Sequence, residues 1–170
     1  MMLARAVVPS AVLVLVTLLV ALPWGLGSDY RLVLPLLPAV VIYVWNSRRR
    51  DGVPEWMAFA AGVLLDAISQ GPLGYWALLY LLAYILSALL RAPADEGGLL
   101  RWARFAVGMA LLSTAAWLVA SLYAMQAGDI APLRLAAGIA VLTYPIVAGF
   151  VALLDPPMPH SANGNLVRGG

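Results

Sequence analysis

The chain has 170 residues, of which 64% are hydrophobic and 11% charged, and a formal net charge of +2. That composition lies far from the average of soluble domains and leaves no length for a soluble domain beside the apolar runs, so an integral membrane protein is the expected class. Cysteine is absent, which excludes disulfides, thiolate metal sites and cysteine nucleophiles, and the basic excess is all arginine, read through its placement rather than as a nucleic-acid footprint.

The first apolar run, Ala6 to Leu22, follows Arg5 and ends at Pro23-Trp24-Gly25. It is longer than the apolar part of a signal peptide and no Ala-x-Ala site follows it, so it reads as an uncleaved span, with Trp24 and Tyr30 suited to an interfacial belt. A second, short run, Leu32 to Trp45, holds Pro35 and Pro38 in its first turns, where missing backbone donors cost least, and closes on Arg48-Arg49-Arg50. Pro54 opens a third helix, with Glu55 favourable to its dipole, that runs to about Gln70, where Gly71-Pro72 forces a reversal. The fourth helix spans roughly Leu73 to Leu90, and Arg91 to Gly98, with Asp95 and Glu96, reads as a polar loop. The fifth, Arg101 to about Gln126, and the sixth, Pro132 to about Leu154, are joined by Ala127-Gly128-Asp129, and Pro145 predicts a kink in the sixth. The expectation is an all-α, polytopic membrane bundle of about six transmembrane helices: a single transmembrane domain over 1–154 and a flexible cytoplasmic tail over 155–170, in which the lone His160 is expected to be exposed and without function.

Six spans place Arg5, Arg48, Arg49, Arg50, Arg91, Arg101, Arg104 and Arg168 on one face, against Arg31 and Arg134 on the other. The positive-inside rule then puts both termini in the cytoplasm. Arg48, Arg49 and Arg50 read as topology determinants, contact with anionic headgroups or a cytoplasmic partner being their other role. The loops are short, so a partner has to be recognised through helix faces, the rims or the tail.

One carboxylate stands inside an apolar span. Asp66 lies twelve residues beyond Pro54, or about 18 Å along a helix, past the midplane of a hydrocarbon core about 30 Å thick. An aspartate near a helix centre costs about 2.5–3.5 kcal/mol on insertion scales, so it has to face protein, water or a cation. Ala58, Gly62 and Asp66 recur at i, i+4 and i+8, a small-residue seam with Ser69 and Gln70 one turn further. Three roles stay open: an internal hydrogen bond tying the third helix to the fourth, a contact with a partner protein, and proton or ion handling. Ser113, Thr114, Ser121, Thr143 and Tyr144 have no base beside them in sequence and read as helix-packing groups. Without a metal set, phosphate loop, carboxylate pair or triad, the expectation is a protein that is not an enzyme, with no cofactor and no nucleic-acid partner.

Gly62-Val-Leu-Leu-Asp66, then Pro72-Leu73-Gly74 behind Gly71 and the apolar Ala77-Leu-Leu-Tyr80, resembles the G-x-x-x-D and P-L-G pattern of the MreD family of bacterial rod shape-determining membrane proteins. The resemblance covers about forty residues, and the rest agrees in size and hydropathy. It implies a non-enzymatic inner-membrane subunit of the cell-wall elongation machinery. Its partners would be an MreC-like single-span protein, and around that pair MreB, the RodA glycosyltransferase, a penicillin-binding transpeptidase and the membrane lipids. The family is also distantly similar to substrate-binding subunits of energy-coupling-factor transporters, so the competing function is a small-solute transporter or such a subunit, with Asp66 lining a pocket. The acidic loop at Asp95-Glu96 and the proline-rich tail depart from the family pattern.

Overall fold

The computed structural model describes residues 2–22, 33–48, 52–69, 72–93 and 96–154. Expectations placed on Trp24, Tyr30, Arg31, Arg49, Arg50, Gln70, Gly71, Asp95, and the tail 155–170 with His160 and Arg168 lie outside the described residues. The chain is all-α: six helices, and no strand among the described residues, run in the order α1 (Met2–Ala21), α2 (Val33–Arg48), α3 (Glu55–Ser69), α4 (Tyr75–Leu89), α5 (Gly98–Ala124) and α6 (Ala131–Leu154). Two of them, α5 and α6, are long and apolar enough to cross a membrane.

The second helix lies on the axis of the bundle. From Leu34 to Trp45 its only non-aliphatic side chains are two aromatics, so it has no polar face to turn outward, and a helix that is apolar all round is buried. Every residue from Pro38 to Asn46 is buried, with Tyr43 and Trp45 among the largest enclosed side chains. Helices α1, α4 and α6 pack directly on α2, and the contacts of α1 with α3, α3 with α4, α4 with α5 and α5 with α6 close an arc around it. The ring of Tyr43 reaches α5, where Gly108 leaves the space it occupies, and meets Phe105 edge-on at 5.1 Å. Its hydroxyl donates to the Arg104 carbonyl at 3.3 Å.

Prolines inside the helices leave carbonyls without partners, which is costly in an apolar surrounding. Pro145 lacks the N–H that would reach the Val141 carbonyl, yet α6 runs through it unbroken. The indole Nε1 of Trp102 on α5 donates to that carbonyl at 2.9 Å, and next to it Tyr144 stacks on Phe105 at 4.4 Å. On α2, Pro35 stands in the first turn and Pro38 a turn further in. The Tyr80 hydroxyl donates at 2.8 Å to the Pro35 carbonyl, beside the Leu34 carbonyl that Pro38 leaves unpaired within the helix.

Helix α5 starts at Gly98, three residues before the expected Arg101, behind an extended Gly97. The expected polar loop is correspondingly shorter, and Glu96 is not a solvated loop acid. Its side chain is 7% exposed and pairs with Arg104 at 3.0 Å, folding the loop back along α5. The hydroxyls of Thr114 and Thr143 donate to carbonyls one turn back in their own helices, whereas the Ser121 hydroxyl reaches a loop, accepting from the Gly128 N–H at 3.4 Å.

Trp102→Phe keeps the ring and removes the N–H, and is expected to destabilise the fold by about 0.5–1.5 kcal/mol, the usual worth of such a bond in a helical bundle. In Pro145→Ala, which restores the helical donor, the same Trp102→Phe change is expected to cost much less. Equilibrium unfolding in detergent of the two single variants and the double variant measures the difference.

Candidate functional site

The seam read from the sequence faces α4. Ala58, Gly62 and Asp66 are all buried along α3, together with Ala61 and Leu65. At Gly62 the two helices are in backbone contact: a Cβ there would stand 2.4 Å from the Ala77 Cα and 2.5 Å from its nitrogen. No side chain fits, so glycine is required by the approach itself and not by backbone freedom.

One turn further along, the carboxylate of Asp66 is 1% exposed and meets the first turn of α4. Oδ2 accepts from the Gly74 N–H at 2.9 Å and from the Ala77 N–H at 3.3 Å, and Oδ1 accepts from the Trp76 N–H at 2.9 Å. The Tyr75 N–H donates to the Pro72 carbonyl at 3.2 Å, and the Leu78 N–H begins the helical ladder on Gly74 at 3.0 Å. Every N–H from Gly74 to Leu78 therefore has a partner, and the cap comes from a neighbouring helix because Gly74 has no side chain to supply one. Gly74 adopts φ 91°, the left-handed region that other residues enter only at a cost, which turns the chain into α4 within reach of the carboxylate.

Magnitudes decide what the acid does. A buried polar group left unpaired costs about 1–3 kcal/mol, and more when it is charged, whereas each hydrogen bond to a carboxylate returns about 1.5–3 kcal/mol. Three such bonds, at the positive end of a helix dipole, outweigh that cost. Both oxygens are committed to backbone donors. The Gly62 contact and the Asp66 cap need each other, since only backbones this close let a two-carbon side chain reach the next helix.

The remaining residues singled out in the sequence fall at the ends of this hairpin. Pro72, Leu73 and Gly74 form its exposed turn, and the Leu73 carbonyl accepts from the Tyr123 hydroxyl of α5 at 3.3 Å. Ser69 is exposed and turned off the seam, its hydroxyl donating back to the Asp66 carbonyl at 3.4 Å. Arg48 is exposed in the last turn of α2.

A second polar cluster, not anticipated, closes the opposite end. Arg91 donates from Nε at 3.2 Å and Nη2 at 2.9 Å to the Asn46 carbonyl, one of the last carbonyls of α2. The Asn46 Oδ1 accepts from the Val53 N–H at 2.7 Å, drawing the start of α3 under α2. Isolated polar residues next to helix ends, Asn46 and Arg91, are the signal that could have suggested it. Ser113 is buried and its hydroxyl has no hydrogen-bond partner, so no base activates it. Among the described residues no three His, Asp or Glu side chains gather as a metal site would need.

Asp66→Asn replaces an accepting oxygen with a donor that faces N–H groups, and is expected to cost about 2–3 kcal/mol of stability. Gly62→Ala forces the backbones apart and is expected to cost at least as much, about 2–4 kcal/mol. Because each acts by opening the same contact, the double variant should cost clearly less than the sum, read by unfolding of all three proteins.

The chain matches no protein-family model, no curated protein and no solved structure.

Proposed function

We propose that this chain is a six-span protein of the bacterial inner membrane with both termini in the cytoplasm, and that it works as a non-enzymatic scaffold of the cell-wall elongation machinery. In this role it binds an MreC-like single-span protein and helps position peptidoglycan synthesis, with MreB, RodA and a penicillin-binding transpeptidase in the wider assembly. The observation that carries the reading is the unity of the motif. Gly62, Asp66, Pro72, Leu73 and Gly74, which carry the resemblance to MreD, belong to one capped hairpin, in which Gly62, Asp66 and Gly74 depend on one another.

The placement of charge supports the six-span arrangement. Arg48, Arg91, Arg101 and Arg104 lie where α2 and α4 end and α5 begins, while Arg134 lies in the first turn of α6 at the other end. The commitment of both Asp66 oxygens to backbone donors favours a fixed scaffold over a carrier, in which a carboxylate has to release what it binds. The exposed side chains of α1, α3, α5 and α6 are mostly large and apolar, as lipid or a partner's span requires.

Expressed with the MreC-like protein of its own organism, the chain is expected to co-purify with it in mild detergent, and its depletion is expected to round the cells. Absence of association together with unchanged cell shape would sink the scaffold reading. A reporter fused after Gly128 is expected to report the outer face, and a cytoplasmic signal there would overturn the topology.

A further inference from the structure

The helices that face outward are unequal in length. On α3, the exposed Glu55 and Ser69 bound an apolar face of Trp56, Phe59, Val63 and Ile68, and the two markers stand about 21 Å apart at 1.5 Å per residue. On α4, Gly74 and Arg91 are about 25 Å apart by the same measure. The hairpin tip adds little height, because the Asp66 bonds hold the first turn of α4 level with Asp66, about a turn below the end of α3. On the other side of the bundle, the stretch of α5 from Arg104 to its end at Ala124 is about 30 Å and that of α6 from Arg134 to its end at Leu154 about 30 Å, the thickness of an ordinary hydrocarbon core.

The short side cannot slide to compensate. Glu55 stays at one interface by its charge, and the tie from Asn46 to Val53 fixes the start of α3 to the end of α2. The outer end is set by the cap. A stripe shorter than the bilayer is accommodated by thinning the bilayer or by covering the stripe with another copy. The face of α3 is half its circumference wide and lined by bulky side chains, Trp56 being 64% exposed, which suits disordered acyl chains better than the close backbone approach of a helix pair.

We propose that the α3–α4 hairpin compresses the bilayer on its side of the bundle, so that the phospholipid chains lying against Trp56, Phe59, Val63 and Ile68 fill a hydrocarbon layer about 5–9 Å thinner than the layer beside α5 and α6. The inference rests on the six-span reading. It goes beyond that reading by giving the protein a directional effect on the lipid around it.

The chain has no cysteine, so single spin labels can be placed cleanly in the full-length protein. The variants Glu55→Cys, Val63→Cys, Ser69→Cys, Arg134→Cys and Leu154→Cys, in vesicles of dioleoyl phosphatidylcholine, report depth through their relative accessibility to oxygen and to a water-soluble nickel chelate. Labels at 55 and 69 are expected at headgroup depth, as are those at 134 and 154, with the label at 63 in hydrocarbon, although the first pair is about 9 Å closer together than the second. A label at 69 lying several ångströms inside the hydrocarbon would overturn the thinning and leave the six spans standing. A label at 63 shielded from both reagents would overturn it in favour of a second copy over α3. Water access at 63 would remove α3 from the membrane, and the six-span reading and the thinning would fall together.

Discussion

The rest of the fold depends on one carboxylate reaching across from one helix to cap the next. The start of a helix leaves backbone donors without intrahelical partners, and each one buried and left open costs about 1–3 kcal/mol. Asp66 answers three of them at once. Its reach is short, so the helices have to touch, and the touch requires Gly62. The direction of approach requires a left-handed residue at the start of α4, which is Gly74. A motif that looks like two unrelated fragments eight residues apart is thus one constraint, and the charge that makes Asp66 unusual is what makes it useful as a cap.

The same economy recurs at three other interruptions of the backbone. The Val141 carbonyl freed by Pro145 meets an indole, the Pro35 carbonyl beside the Pro38 break meets a phenol, and the end of α2 meets a guanidinium. In each case the donor comes from another segment of the chain. Prolines and helix ends therefore act as joints between helices, and polar side chains that appear scattered along the sequence are placed where a carbonyl needs them.

Much of this was legible before any coordinates. Apolar runs punctuated by Pro, Gly and Arg located all six helices, with most boundaries within one to three residues, because these residues change the local cost of helix directly. The neighbour of Asp66 was one of three open readings, and a tight Gly-Pro turn makes the adjacent helix the nearest source of donors. The packing order was not legible. Six apolar helices of similar composition carry no label for which touches which, and only α2, apolar on every side, held a hint of its central place. Pairings such as Trp102 with Val141 join residues far apart in sequence, and the carbonyl half of such a pair carries no side-chain signal at all. The partner of Glu96 was not legible for a related reason: nothing in a polar loop says that the arginine two turns into the following helix lies over its acid.

The axial position of α2 bears on the order in which the chain can assemble. It precedes α4 and α6 in the chain, yet its sides are finished by them, and α6 is made about a hundred residues later. Until then, of the helices that pack directly on it, only α1 and α4 can cover its aromatic and aliphatic flanks. The bundle is therefore closed from its carboxyl end. A chain truncated before α6 leaves α2 uncovered on one side, with every reason to find another partner, and surveillance proteases would meet it as an incomplete product.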